Sequence, residues 1–248
     1  MLFRSPNWTT PLRNRRGFSF IFVLMSFKSQ LLSEVQKEFP KYKDAYRSQG
    51  AFKYMKGVAP FIGIDATTRR KILKKIFIAL PEPTSDQLGK AALALMKLHF
   101  REYHYAAYDL IDFFQESADE TFLDKYAEKL ITSTPWWDTV DGLGTAMLSP
   151  LTTKFPNKKL IEKWNKSGDI WLIRSSIQHQ RGRRNLTDVP YVLSLCQKHV
   201  DSKEFFIVKG IGWALRDISR FNKAAVRDFL KKNPNLGYVA VKEAKRYL

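Results

Sequence analysis

The side chains of this sequence that could do chemistry are few, and their spacing is regular. Trp137 and Asp141 stand four apart in Thr134-Pro135-Trp136-Trp137-Asp138-Thr139-Val140-Asp141, which places both on one helical face. Thr134 suits the cap of that helix and Pro135 its first position. The apolar stripe runs through Trp136, Val140, Leu143 and Met147, and the pair lies about 100° round from it. Gly144 follows on the same side and leaves room above the pair. A carboxylate beside an indole can face a developing positive charge and accept a proton from water. The same residues also read as a core Trp beside a solvated Asp, and the segment alone does not choose between the two.

Two later segments carry further polar groups at helical spacing. In Ile170–Arg181, Ile170, Ile173 and Ile177 form an apolar stripe, while Trp171, Arg174, Ser175 and Gln178 share a polar face. A guanidinium there can grip a phosphate through its planar fork; it can equally be a surface Arg paired with Asp169 or another acid. In Lys203–Asn222, Ile207, Ile211, Ala214 and Ile218 face a core, with Lys209, Trp213, Arg216 and Arg220 opposite. Trp213 is thus an aromatic among cations, although packing on a neighbouring helix would account for it too. Gly210 and Gly212 weaken this helix by roughly 1 kcal/mol each relative to Ala, which suggests a close approach to the backbone.

Those groups need helices to position them, and the chain supplies little else. From Ser29 onward nearly every segment has helical periodicity and none alternates over a sustained length. Leu31–Phe39 reads as a helix ending at Pro40, followed by two short helices over 41–50 and 51–58, the second carrying Tyr54. A helix over 66–80, capped by Asp65, buries Ile72, Leu73, Ile76, Phe77 and Leu80 and exposes Arg70, Lys71, Lys74 and Lys75. Arg69 and Arg70 lie near its N-terminus, where cations oppose the helix dipole unless an external anion compensates. Further helices are expected over 85–98, 102–116, 120–131, 135–148, 157–166, 170–180, 186–198, 202–220, 223–232 and 238–247, with short connections and no interdomain linker.

The fold class is therefore all-α, either a compact bundle or a solenoid. Trp137, Arg174 and Trp213 stand 37 and 39 residues apart, close to the ~40-residue period of HEAT-type repeats. Equivalent helices of successive repeats line one surface, so the spacing favours an α-solenoid of HEAT-like helical repeats with a concave basic groove. A single domain is assigned to residues 26–248. Residues 1–25 are set apart as a disordered leader or a mis-assigned start. Arg13–Met25 begins like a signal peptide, but its apolar run is short, well below the ~20 residues that span a bilayer.

Charge points to the partner. The net charge is +18 and the pI about 9.9, which calls for a polyanion or an anionic surface. Arg4, Arg13, Arg15 and Arg16 account for four of those charges, so the remainder still carries +14. Aromatics interleaved with cations are a nucleic-acid footprint. A carboxylate among them repels phosphate, and makes sense chiefly if it does chemistry or pairs with a cation. The one cysteine, Cys196, forbids an intrachain disulfide and fits a reducing compartment. The four histidines show no metal-ligand spacing with one another or with Cys196, so no metal is expected.

Several blocks together resemble the DNA alkylation repair family, the AlkD-type glycosylases built from HEAT-like repeats. They are Trp-Trp-Asp-Thr-Val-Asp at 136–141, Trp-Leu-Ile-Arg at 171–174 and Lys-Glu-Phe-Phe-Ile-Val-Lys-Gly-Ile-Gly-Trp-Ala-Leu-Arg at 203–216. Tyr-Met-Lys at 54–56 and Phe-Ile-Gly-Ile at 61–64, followed by Arg69-Arg70, are similar to the family's N-terminal pattern. The resemblance runs from about Ser29 to Leu248, and its most specific part is 203–216. It implies a catalytic Asp141, with Trp137 and Trp213 against the sugar and backbone at the lesion. It implies Arg174 on the DNA backbone with Tyr54 close by; Arg70, Lys71, Lys209 and Arg216 are added to that DNA-binding surface from their faces. It further implies monofunctional release of 3-methyladenine and 7-methylguanine from duplex DNA without flipping the base into a pocket. No cofactor, membrane or metal is expected, and the protein is expected to be a cytoplasmic monomer, associated with the nucleoid when on DNA. The alternative is a non-catalytic helical-repeat module for branched or damaged DNA, which needs the basic groove and has no use for Asp141.

Overall fold

The computed structural model describes residues 26–248; the segment 1–25 set apart at the N-terminus lies outside the described residues. All regular elements among the described residues are helical. They are α1 (Phe27–Glu38), α2 (Ala45–Tyr54), α3 (Ala66–Ala79), α4 (Ser85–Met96), α5 (Arg101–Phe113), α6 (Glu128–Thr132) and α7 (Trp137–Leu143). Then follow α8 (Ser149–Lys154), α9 (Lys158–Asn165), α10 (Ile170–Gln178), α11 (Val189–Gln197), α12 (Phe205–Ser219), α13 (Lys223–Lys232) and α14 (Tyr238–Ala244). The chain divides between Thr134 and Pro135 into two compact units.

In the unit ending at Thr134, α1 packs on α3 and α4, and α5 packs on both α3 and α4. One helix, α2, takes the place of the two short ones expected over 41–58. It starts at Asp44, whose carboxylate accepts from the Arg47 amide, and it runs through residue 50 because a Gly there meets open space and costs only propensity. Asp65 caps α3 by accepting from the Thr67 and Thr68 amides. The Phe61-Ile62-Gly63-Ile64 stretch has a structural cause. Buried Glu102 accepts the amides of Ile62, Gly63 and Ile64 at 2.9, 2.7 and 3.1 Å. Gly63 has φ +102°, and a Cβ there would fall 2.1 Å from the Asp44 carbonyl oxygen, so only glycine fits.

In the unit from Pro135 onward, α10 packs against α9, α11 and α12, and α12 packs against α13 and α14. One apolar core joins Ile173 and Ile177 of α10 to Val192 and Cys196 of α11. It continues through Ile207, Ile211, Leu215 and Ile218 of α12, Val226 and Phe229 of α13, and Ala240 and Ala244 of α14. The close approach to α12 expected from its glycines is made by neighbouring helices. A Cβ at Gly212 would lie 2.8 Å from Ala240 Cα, so α14 meets α12 backbone to backbone. At Gly210 the neighbours are Arg174 and Gln178 side-chain atoms at 3.5 and 3.6 Å.

Candidate active site

The helix that carries Asp141 begins later than its local signals suggest. Thr134 and Pro135 do not start it: Thr134 has φ +44°, and Trp136 is extended at φ −157°, ψ 163°. The first turn closes when the Val140 amide donates to the Trp136 carbonyl. Tertiary packing accounts for the shift. Extended Trp136 places its ring 5.7 Å from Trp171 and 5.0 Å from Phe206, and those two rings lie 4.8 Å apart. Burying three aromatics together outweighs a cap worth about 1 kcal/mol. The helix also runs beyond Leu148. A wide turn over Gly144–Leu148, with the Ser149 amide donating to the Gly144 carbonyl, leads into α8. Such a π-turn breaks the regular four-residue ladder just before Pro150, which has no amide to offer it. A Cβ at Gly144 would meet open space, as the sequence suggested.

On this helix Trp137 is half-buried and Asp141, one turn later, is 4% exposed. Asp141 is not solvated. Its two carboxylate oxygens accept from Arg174 Nε and Nη2, each at 2.9 Å. Arg174 Nη1 donates to the Phe206 carbonyl at 2.7 Å, and Arg174 itself is 1% exposed. This corrects the expectation for α10. Its side with Trp171, Arg174, Ser175 and Gln178 is buried rather than a surface, because α10 runs between neighbouring helices and Trp171 belongs to the aromatic cluster. Arg174 is neither a surface side chain nor paired with Asp169, which caps α10 through the Trp171 and Leu172 amides.

Trp213 completes the group. Three guanidiniums approach its ring: Arg181 at 4.4 Å from the centroid, Arg216 at 5.1 Å and Arg174 at 5.3 Å. Asp141, Arg174 and Trp213 are therefore brought together, linked through the guanidinium that bonds one and faces the other. The Trp213 Nε1–H and the Ser175 hydroxyl are buried without a hydrogen-bond partner. Lys209 and Arg216 lie on the Trp213 side of α12 as expected, but not as free cations. Both bond Glu243 of α14, at 2.6 and 2.5 Å. Burial pushes the Glu243 carboxyl up, but the Lys209 hydrogen bond and the charges of Arg216, Lys209 and Arg246 outweigh it and hold the group below the usual range.

Tyr54, Arg70 and Lys71 belong to the other unit. Tyr54, at the end of α2, is 71% exposed, and Lys71 is exposed. Arg70 is half-buried, with Nε 3.8 Å from Asp109. The helix-dipole penalty expected of Arg69 is met internally: Arg69 is buried, bonds Asp109 at 2.9 Å and stacks 4.9 Å from the Tyr105 ring centroid. Sequence reasoning missed Asp109, Glu243 and Arg181. Asp109 lies 40 residues from Arg69, near the intervals of the three marked positions, so a search for acids at that spacing would have found it; Glu243, 27 residues from Arg216, does not fit that spacing. Among the described residues no group of three or more His, Cys, Asp or Glu could hold a metal ion, and no helix is long and apolar enough to cross a membrane.

A family model described as "DNA alkylation repair enzyme" matches residues 35–248, and the chain belongs to that family. Among solved structures it is similar to a protein described as a predicted DNA alkylation repair enzyme from Enterococcus faecalis. The two share 24% identity over 83% of this chain and 96% of that one, with a TM-score of 0.75. That likeness is one of fold, the helical-repeat solenoid of DNA alkylation repair enzymes. No curated protein matches the chain.

Proposed function

We propose that the protein is a monofunctional DNA glycosylase that hydrolyses the N-glycosidic bond of cationic alkylated purines, 3-methyladenine and 7-methylguanine, in duplex DNA. The observation that carries this reading is the Asp141 carboxylate, fixed by Arg174 on two 2.9 Å bonds and joined through that guanidinium to Trp213. The pair with Arg174 would also serve a module that only binds DNA, so the carboxylate supports a glycosylase together with membership of a DNA alkylation repair family, which favours alkylated DNA as the substrate.

Alkylation at purine N3 or N7 places positive charge on the base, so the leaving group is already activated and needs no general acid. What remains is a sugar with oxocarbenium character and a water to be placed. In this reading Asp141 does both, as a fixed charge opposite the developing cation and as acceptor of the water proton. The same reading puts Trp137 and Trp213 against the sugar, where an indole face favours a nearby cation by ~0.5–2 kcal/mol. In this reading the base is not flipped into a pocket, as the resemblance to AlkD-type glycosylases implies. Tyr54, Arg70, Lys71, Lys209 and Arg216 are assigned to the DNA backbone. No lysine is placed for a Schiff base, so strand cleavage is not part of the activity.

Incubation of the purified chain with N-methylated duplex DNA, followed by analysis of the released bases, tests this. Free 7-methylguanine and 3-methyladenine are expected. Tight binding of that DNA with no base released would leave the non-catalytic DNA-binding module instead.

A further inference from the structure

Five cations meet the Trp213 side of α12 or the ring itself, and their partners differ. Arg174 is neutralised by Asp141, and Lys209 and Arg216 share Glu243. Arg220, exposed at the end of α12, donates to and stacks on Tyr247. Arg181 makes no ion pair among the described residues. Its guanidinium makes one hydrogen bond, a long one of 3.4 Å from Nη1 to the Gln178 side-chain oxygen. Its Nη2 is buried without a partner. Yet its guanidinium is the nearest of the three to the indole, 4.4 Å from the centroid.

A largely desolvated charge with no counterion is costly, by several kcal/mol before relaxation. Burial weakens the hold of Arg181 on its proton; Arg174 and Arg216 act in the same direction, and Asp141 and Asp217 oppose them. A neutral side chain would avoid that cost, so the fold alone gives no reason for an arginine here. Arg174, the residue expected to meet the backbone, is 1% exposed with both edges of its fork engaged inside the protein. Arg181 keeps part of its surface open to solvent. Stacking on Trp213 fixes its plane in advance, which lowers the entropy lost when a ligand is gripped.

We propose that Arg181 is the phosphate-binding cation of this site, taking a phosphodiester group of the DNA strand that lies against Trp213. The inference rests on the glycosylase reading for the placement of DNA, and it shifts to Arg181 the backbone contact expected of Arg174. The phosphate supplies the negative charge that the cluster lacks, and its binding brings the sugar beside it to Asp141.

The test is the salt dependence of affinity for an unmodified duplex oligonucleotide, measured for the wild type, Arg181→Gln, Arg181→Leu and Arg181→Lys. Loss of one phosphate contact flattens the slope of log K against log salt by about 0.9. That flattening is expected for Gln and Leu, with Lys close to the wild type. Two neutral replacements of different shape keep the test available if one fails to fold. A wild-type slope in a folded Gln or Leu variant overturns the proposal. Because this reads binding without base release, the two readings fail separately. A wild type that releases methylated bases while its slope ignores Arg181 removes the phosphate contact alone. A wild type whose slope depends on Arg181 but which releases no base removes the glycosylase alone.

Discussion

Asp141 of α7 and Arg174 of α10 share two parallel N–H···O bonds of 2.9 Å, and both side chains are withdrawn from solvent. A fork of this kind fixes the direction in which the carboxylate faces, as well as its charge. The partner that aims Asp141 therefore comes from a helix 33 residues further along the chain.

Removing Arg174 should destabilise the fold. Arg174→Ala leaves a buried carboxylate unpaired and the Phe206 carbonyl without its donor, a loss on the order of 3–5 kcal/mol. A fall of that size in denaturant-unfolding stability is expected, together with loss of base release. A loss below about 1 kcal/mol would mean that the pair is not sealed as described.

The two glycines of α12 should respond in opposite senses to alanine. At Gly210 the added methyl meets side chains at ordinary contact distance, 3.5 Å or more, so helix propensity dominates and stability rises by up to about 1 kcal/mol. At Gly212 it meets the α14 backbone at 2.8 Å, and overpacking costs about 1–3 kcal/mol. Gly212→Ala also displaces Glu243, so the Lys209 and Arg216 pairs loosen. Thermal melts of the two variants, side by side, check the sign of each.

Acid should destabilise the protein through His179, buried at the end of α10. Burial, with the charges of Arg183 and Lys158, lowers its pKa to about 4, against the Ser176 carbonyl and Asp188 which act the other way. In the unfolded chain it titrates near 6.5. The neutral form is native, so stability is full above about 6.5 and falls as protons bind the unfolded state down to about 4. The loss is on the order of 3 kcal/mol, with no further change from this group below that. Urea unfolding across this range, for the wild type and His179→Gln, should show a shallower pH dependence in the variant.

Much of this was legible in the residues. The α3 face through Ile72, Leu73, Ile76, Phe77 and Leu80 is buried as its periodicity requires, and Asp65 caps it. The spacing of Arg174 and Trp213 marked two side chains that do meet, because repeat proteins set equivalent helices side by side. Legibility ended where tertiary partners override local signals. Thr134-Pro135 is a good helix start, but Trp136 is drawn into contact with Trp171 and Phe206. Arg174 reads as a polar-face residue, and only its pairing with Asp141 shows that the face is internal. Lys209 and Arg216 read as free cations until α14 supplies Glu243. No pattern within one helix can reveal an ion pair made to another.

The most direct test of the account is single-turnover excision of 7-methylguanine from duplex DNA by the wild type and by Asp141→Asn, with DNA affinity measured in parallel. The substitution keeps the shape and removes the charge, so release is expected to fall at least 10²–10³-fold while affinity for DNA is retained. Near wild-type release by Asp141→Asn would contradict the account, because the carboxylate would then have no part in breaking the glycosidic bond.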